Sequence, residues 1–341
     1  MSAGGWLTFE MRRGNMKKFT YLITLFPILC ALTFGATTLQ AQSYPSYPIR
    51  MAIVAGPGDA SDTTSRLLGE ELSKILKTPI IPINKPGAGS TLATDFVVKS
   101  KKDGYTILYG NSGGAAYAKA ANPEDVPYDP IKDLEPLGLH LFLPSVIYVQ
   151  AESPWKNFND VVEYAKKNPG KFRCGLMGVG SIKHFQLEMI KAWTGVDITM
   201  IPFKAATPAV TAVLGGHMEA GFSALNLAEP HIESGKLRGI LLDRKVPGLS
   251  TIPTLQESGY EKELPYAWFA LFAPAGIPEE VRKVLVPAIE KAIKNSELKA
   301  KTEKLGFFVE YKPPEELKKI MINDYENAVV WAKKLGVRKG Q

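Results

Sequence analysis

Five short stretches rich in glycine, alanine and serine punctuate the chain: residues 57–62 (PGDASD), 84–90 (NKPGAGS), 110–114 (GNSGG), 178–181 (GVGS) and 204–208 (KAATP). Each follows a short apolar run that reads as a strand, and most lead into an amphipathic segment that reads as a helix. In a parallel α/β sheet such loops gather at the carboxyl ends of the strands. There, helix N-termini present backbone N–H groups and the positive end of the helix dipole. That edge suits an anion. Because the loops hold small residues instead of histidine, cysteine or clustered carboxylates, they are suited to gripping a ligand and poorly equipped to transform one.

The apolar runs alternate with helical periodicity along most of the chain. Residues 49–55 (IRMAIVA) read as a buried strand, with Asp62 as N-cap of a helix over 63–76 whose Leu68, Leu72, Ile75 and Leu76 share one face. A strand over 80–84, a helix over 91–100 and a strand over 105–109 complete a βαβαβ unit. The alternation resumes with strands at 146–150, 172–177, 198–203, 220–222 and 237–242, and with helices at 159–168, 183–193 and 208–214. The last third supplies a strand over 268–273 and three amphipathic segments, the first interrupted by Pro287, where a bend or break is expected. The fold class is therefore α/β, with two doubly wound sheets flanked by helices and a cleft between them.

Residues 1–41 stand apart from this pattern. Lys17 and Lys18 follow Met16, residues 19–35 are almost uninterruptedly apolar, and small or polar residues follow, as in a secretory signal cleaved after Ala41. The apolar part includes Pro27 and is short for a membrane-spanning helix. Leu29 before Cys30 argues against a lipid anchor. Without this segment the formal net charge falls from +7 to +4, since it carries four basic residues and one acid. Lysines alternate with acids along the helices and form no basic stripe, so no nucleic-acid partner is expected. Only Cys174 remains, which excludes an internal disulfide. Some 300 residues exceed what one core usually organises, and two domains are expected.

Catalytic patterns are few. The sequence around Ser112 satisfies G-x-S-x-G directly after a strand, which makes a secreted serine hydrolase the alternative reading. Of the later histidines, His217 falls at a helix end and His231 within a helix, neither in the loop after a late strand where a triad histidine belongs. Gly178 and Gly180 begin a dinucleotide fingerprint, but Lys183 stands where the third glycine should be. The four histidines show no metal-ligand spacing, and Cys174 lies in an apolar strand as a buried thiol. No catalytic residue, metal or cofactor is expected.

Taken in order, YPSYPIRMAIVAGPGDASD, INKPGAGS, KKDGYTILYGNSG, PYDPIKDLEPLG, GLMGVGSIKHFQLE, PFKAATPAVTAVLGGHMEAGF, PHIESGKLRGI, IPTLQESGY and WFALFAPAGIPEEV closely resemble the periplasmic solute-binding proteins of tripartite tricarboxylate transporters, the Bug family. The resemblance implies a two-domain periplasmic binding protein fold (type II-like), with residues 42–143 plus 267–341 as one domain and 144–266 as the other. It further implies a periplasmic monomer that closes on a small organic carboxylate and delivers it to integral membrane subunits of a transporter, or else serves a membrane sensor.

The same resemblance places the ligand among Pro57, Gly58, Asp59, Ala60, Ser61 and Asp62, then Asn111, Ser112 and Gly113 from one lobe. The other lobe supplies Val179, Gly180, Ser181 and His184, with Lys204, Ala205, Ala206, Thr207 and Ser223. Backbone amides and the hydroxyls of Ser61, Ser112, Ser181 and Thr207 suit a carboxylate. Three positions depart from the family pattern: Asp59 replaces a glycine, Ser223 a frequent aspartate and Phe203 a frequent tyrosine. They imply a pocket shifted toward a less charged or aromatic acid.

Overall fold

The computed structural model describes residues 44–178, 181–203 and 205–336. The expected signal segment lies outside the described residues, as do Val179, Gly180 and Lys204 of the expected site. Helices and strands alternate from the start: β1 (Ile49–Ile53), α1 (Ala60–Leu76), β2 (Ile80–Asn84), α2 (Thr91–Val98) and β3 (Thr106–Asn111). Short helices α3 (Ala118–Ala121) and α4 (Pro130–Asp133) then lead into β4 (Leu134–Leu143). A second run comprises β5 (Ser145–Gln150), α5 (Phe158–Lys167), β6 (Phe172–Met177), α6 (Ile182–Thr194), β7 (Ile198–Phe203), α7 (Ala206–Leu214), β8 (Ala220–Ala224), α8 (Leu225–Glu233) and β9 (Leu237–Leu242). The chain closes with β10 (Ala267–Pro274), α9 (Glu279–Ile293), α10 (Ser296–Glu303), β11 (Phe308–Lys312) and α11 (Pro314–Lys334).

Two sheets result, one of six strands in the order β11-β4-β10-β3-β1-β2 and one of five in the order β7-β6-β8-β5-β9. In each, three neighbours are parallel: β2, β1 and β3 in the first, and β7, β6 and β8 in the second. Both sheets are mixed, because β10 runs antiparallel to β3 and β5 antiparallel to β8. The reason is topological. Strands β5 and β10 are the first to enter their sheets from the other lobe, so they arrive at the end where the parallel strands leave.

Local chemistry explains most element ends. Asn157 and Asp160 form a reciprocal capping box at the start of α5, and the Ser181 hydroxyl accepts the His184 N–H at the start of α6. Helix α1 starts at Ala60 with Asp59 in the cap position, so Asp62 sits in the first turn and is not the N-cap that its spacing suggests. Helix α9 runs through Pro287 without ending. Strands β4 and β11 were not legible in the sequence. Pro136, Gly138 and His140 interrupt the apolar run of β4, yet the strand is largely buried and His140 donates to or accepts from the Tyr109 hydroxyl through Nδ1 at 3.0 Å. Burial pushes His140 down to about 3, which keeps the ring neutral. The Cys174 thiol is buried and pushed up to about 12 by the same effect.

Helix α11 belongs to both lobes. Its Leu317 and Met321 pack into the core of the first sheet, whereas Ala328, Trp331 and Ala332 join the core of the second with Phe158, Phe172 and Phe185. Between these halves Asp324 is 6% exposed and accepts a hydrogen bond from Trp268 Nε1 at 2.7 Å. Burial raises the Asp324 carboxyl to about 6, and the indole N–H only partly opposes this. The folded value exceeds the unfolded one, so this group's stabilising contribution is complete below about pH 4 and is lost as pH rises through about 6. The ionised group then costs on the order of 2–3 kcal/mol at neutral pH. Asp324→Asn, which keeps an acceptor for Trp268, should melt higher than the wild type at pH 7 and at nearly the same temperature at pH 4. A melting difference that does not change with pH would refute this assignment.

Candidate functional site

A cavity of about 710 Å3 opens between the two sheets. Its first wall comes from loops that leave the parallel strands of the six-stranded sheet: Ala88, Gly89 and Ser90 after β2, and Asn111, Ser112 and Gly113 after β3. Ser181, Ile182 and Lys183 at the start of α6, Ala206 at the start of α7, and Ser223 in β8 form the opposite wall. Tyr117, Phe222 and Phe269 add buried aromatic surface, and Met177, 46% exposed, presents apolar surface to the same space.

The first wall is held by close loop packing and unusual backbone. Ala88 and Ser90 adopt φ of 47° and 76°, a left-handed conformation that costs non-glycine residues on the order of 1–3 kcal/mol and recurs at ligand sites. Gly114 is needed here, because a Cβ at that position would stand 2.6 Å from Thr94 Oγ1 and 3.0 Å from the Ser90 carbonyl oxygen. The Asn111 side chain accepts the Gly114 N–H at 3.1 Å and so shapes the turn after β3. Opposite, Ser181 Oγ donates toward the Met177 and Gly178 carbonyls at 2.6 and 3.0 Å while capping α6.

Of the residues expected from the sequence, the cavity brings together Asn111, Ser112, Gly113, Ser181, Ala206 and Ser223. His184 lies just behind the wall, buried on α6, and burial lowers its pKa. Ala205 and Thr207 are exposed beside it. Pro57, Gly58, Asp59, Ala60, Ser61 and Asp62 are not among the residues that line this cavity. Asp59 Oδ2 accepts the Gly56 N–H and Asp62 Oδ2 the Gly58 N–H, each at 2.9 Å, so these amides are already engaged. Sequence reading had no signal for Tyr117, Phe222 and Phe269, which look like core positions. Lys183 was noticed only as a misfit in a dinucleotide pattern.

Ser112 is 4% exposed, and among the described residues no histidine is hydrogen-bonded to it. His140, on the neighbouring β4, is engaged with Tyr109. Among the described residues no group of three or more histidine, cysteine or acidic side chains could hold a metal ion, and no helix is long and apolar enough to cross a membrane.

Residues 64–336 match the profile described as the tripartite tricarboxylate transporter family receptor. The chain belongs to this family. BugT of Bordetella pertussis is 30% identical over 278 residues, covering 81% of this chain and 85% of BugT. The periplasmic binding protein BugD is 28% identical with a TM-score of 0.68, covering 87% of this chain and 100% of BugD. MatC from Rhodopseudomonas palustris, solved with bound malate, is 26% identical with a TM-score of 0.66, covering 85% of this chain and 100% of MatC. The likeness to BugD and MatC extends over the two helix-flanked sheets described above.

The Asp62 carboxylate is the structural centre of its loop. Burial opposes its ionisation, but hydrogen bonds from Arg66, Asn84 and the Gly58 N–H outweigh this and hold it below the usual carboxylate range. Asn84 Nδ2 reaches Asp62 Oδ1 at 2.7 Å, and Arg66 Nη2 in turn reaches Asn84 Oδ1 at 2.8 Å. Asp62→Ala should therefore lower stability by about 2 kcal/mol in denaturant unfolding, because it removes the acceptor of Arg66 Nε and of the Gly58 N–H and one of the two acceptors of Asn84 Nδ2. Its effect on ligand affinity should stay within about threefold, and a larger loss would return this loop to the binding surface.

Proposed function

We propose that this receptor is an exported periplasmic protein that captures a small organic carboxylate in the cavity between its sheets and delivers it, unaltered, to integral membrane subunits of a transporter. One observation carries the reading: the cavity is walled by carboxyl-end loops and helix starts from both lobes and, among the described residues, holds no acid–base pair poised on Ser112. Malate in MatC supports a carboxylate as the ligand class. Asn111, Ser112, Gly113, Ser181, Ala206 and Ser223 are proposed to contact it, with Val179, Gly180 and Lys204 from the adjoining loops.

The division into residues 42–143 plus 267–341 and 144–266 belongs to the same proposal. Its support is that all six strands of one sheet fall in the first pair of segments and all five of the other in the second. We also assign the protein as a monomer. Closure follows as a hinge motion selected by ligand contacts to both walls.

In a melting screen of mono-, di- and tricarboxylates, an acid present at about 100 times its dissociation constant should stabilise the protein by about 2.7 kcal/mol. Ser112→Ala should weaken that acid by roughly threefold to tenfold, the effect of losing one hydrogen bond. Activated esters should not be turned over by either protein. Turnover abolished in Ser112→Ala would replace the receptor reading with the hydrolase one.

A further inference from the structure

The cavity holds a cation that the expected site did not include. Lys183 is the second residue of α6, half-buried and part of the cavity wall. An ammonium offers three donors and no acceptor, and withdrawing it from water is unfavourable unless an acceptor or anion compensates. Among the described residues Lys183 forms neither a hydrogen bond nor an ion pair. Desolvation lowers its pKa, and the charge of Asp243 opposes this.

Asp243 does not close an ion pair with Lys183, and its oxygens take other donors. Oδ1 accepts the Ser145 N–H at 2.9 Å and Oδ2 accepts from Gln186 Nε2 at 3.0 Å. Asp243 thus favours the charged form of Lys183 without bonding to it, and Lys183 stands on the cavity wall with no hydrogen-bond acceptor among the described residues. Among the described residues the other charged residue of the wall is Asp125, which is exposed, whereas the rings of Tyr117, Phe222 and Phe269 are buried and the Tyr117 hydroxyl has no hydrogen-bond partner.

Resting on the receptor reading above, we infer that Lys183 is the specificity-determining counter-ion for the ligand carboxylate, and that the rest of the ligand is a hydrocarbon body lying against Tyr117, Phe222 and Phe269. A tricarboxylate would place two further anions in a cavity whose described wall offers no second cation and is partly aromatic, where burial of an unpaired charge is strongly unfavourable.

Calorimetric titration of the purified wild type with benzoate, hexanoate, malate and citrate tests this. Benzoate or hexanoate should bind at least tenfold more tightly than citrate. Lys183→Met should lose tenfold or more for the preferred acid, while Lys183→Arg keeps part of the affinity. Should Lys183→Met fail to fold, Lys183→Gln carries the same expectation. If the wild type binds an acid and the neutral variant binds it equally well, the role of Lys183 is overturned and the receptor reading stands. A wild type that prefers citrate overturns the hydrocarbon body. If it binds none of these acids, the carboxylate reading falls and takes this inference with it.

Discussion

Two chain crossings connect the sheets, and one buried carboxylate ties them together. The first crossing is the step from β4 to β5 at Pro144, and the second is the longer segment between β9 and β10. Asp243 begins the second crossing; its backbone N–H donates to the Ser145 carbonyl at 3.0 Å while its side chain accepts the Ser145 N–H. Gln186 from α6 donates both to Asp243 Oδ2 and to the Pro265 carbonyl near the end of that crossing. A carboxylate 5% exposed would be unfavourable without these donors, and the donors would be unsatisfied without it. The start of β5 and the end of β9, where the two crossings meet the five-stranded sheet, are thereby held together.

A second tie lies close by. The Arg244 guanidinium sits over the rings of Phe142 and Tyr266 at 3.9 and 4.3 Å and pairs with Glu310 at 3.0 Å. Phe142 ends β4 and Tyr266 precedes β10, so the contact again joins the crossings. Such a half-buried cation over aromatic faces contributes on the order of 1–2 kcal/mol. Helix α11 makes a third connection by giving its first half to one core and its second half to the other. Relative movement of the lobes must therefore be accommodated around Asp243, Arg244 and α11 together, with the rigid sheets carrying the cavity walls.

Much of this was legible in residue patterns. Apolar runs such as residues 49–53 and 172–177 became parallel strands because most of their side chains are small or apolar and suit burial on both faces, with Arg50 and Arg173 as the exposed charged exceptions. Small-residue loops fell at strand ends because glycine, serine and alanine allow the backbone to turn there. The antiparallel character of β5 and β10 was not legible, since direction depends on which lobe the chain comes from. Strand β4 was hidden by Pro136, Gly138 and His140, residues that read locally as a loop and are tolerated because the neighbouring β10 and the Tyr109 hydroxyl accommodate them.

Sequence alone determined the alternation of strands and helices, the family, and the loops from which a binding edge could be built, because these depend on local periodicity and on short runs of residue types. Tertiary structure decided which loops face the cavity. Asp59 and Asp62 look like ligand contacts in a string of letters, yet they bond the amides of their own loop. Lys183, Phe222 and Phe269 look like a helix-surface lysine and two core aromatics, yet they meet across the space between the sheets. The difference is physical: a hydrogen-bond donor or an apolar face acquires its role from what lies opposite, and that is set by contacts between residues far apart in the chain.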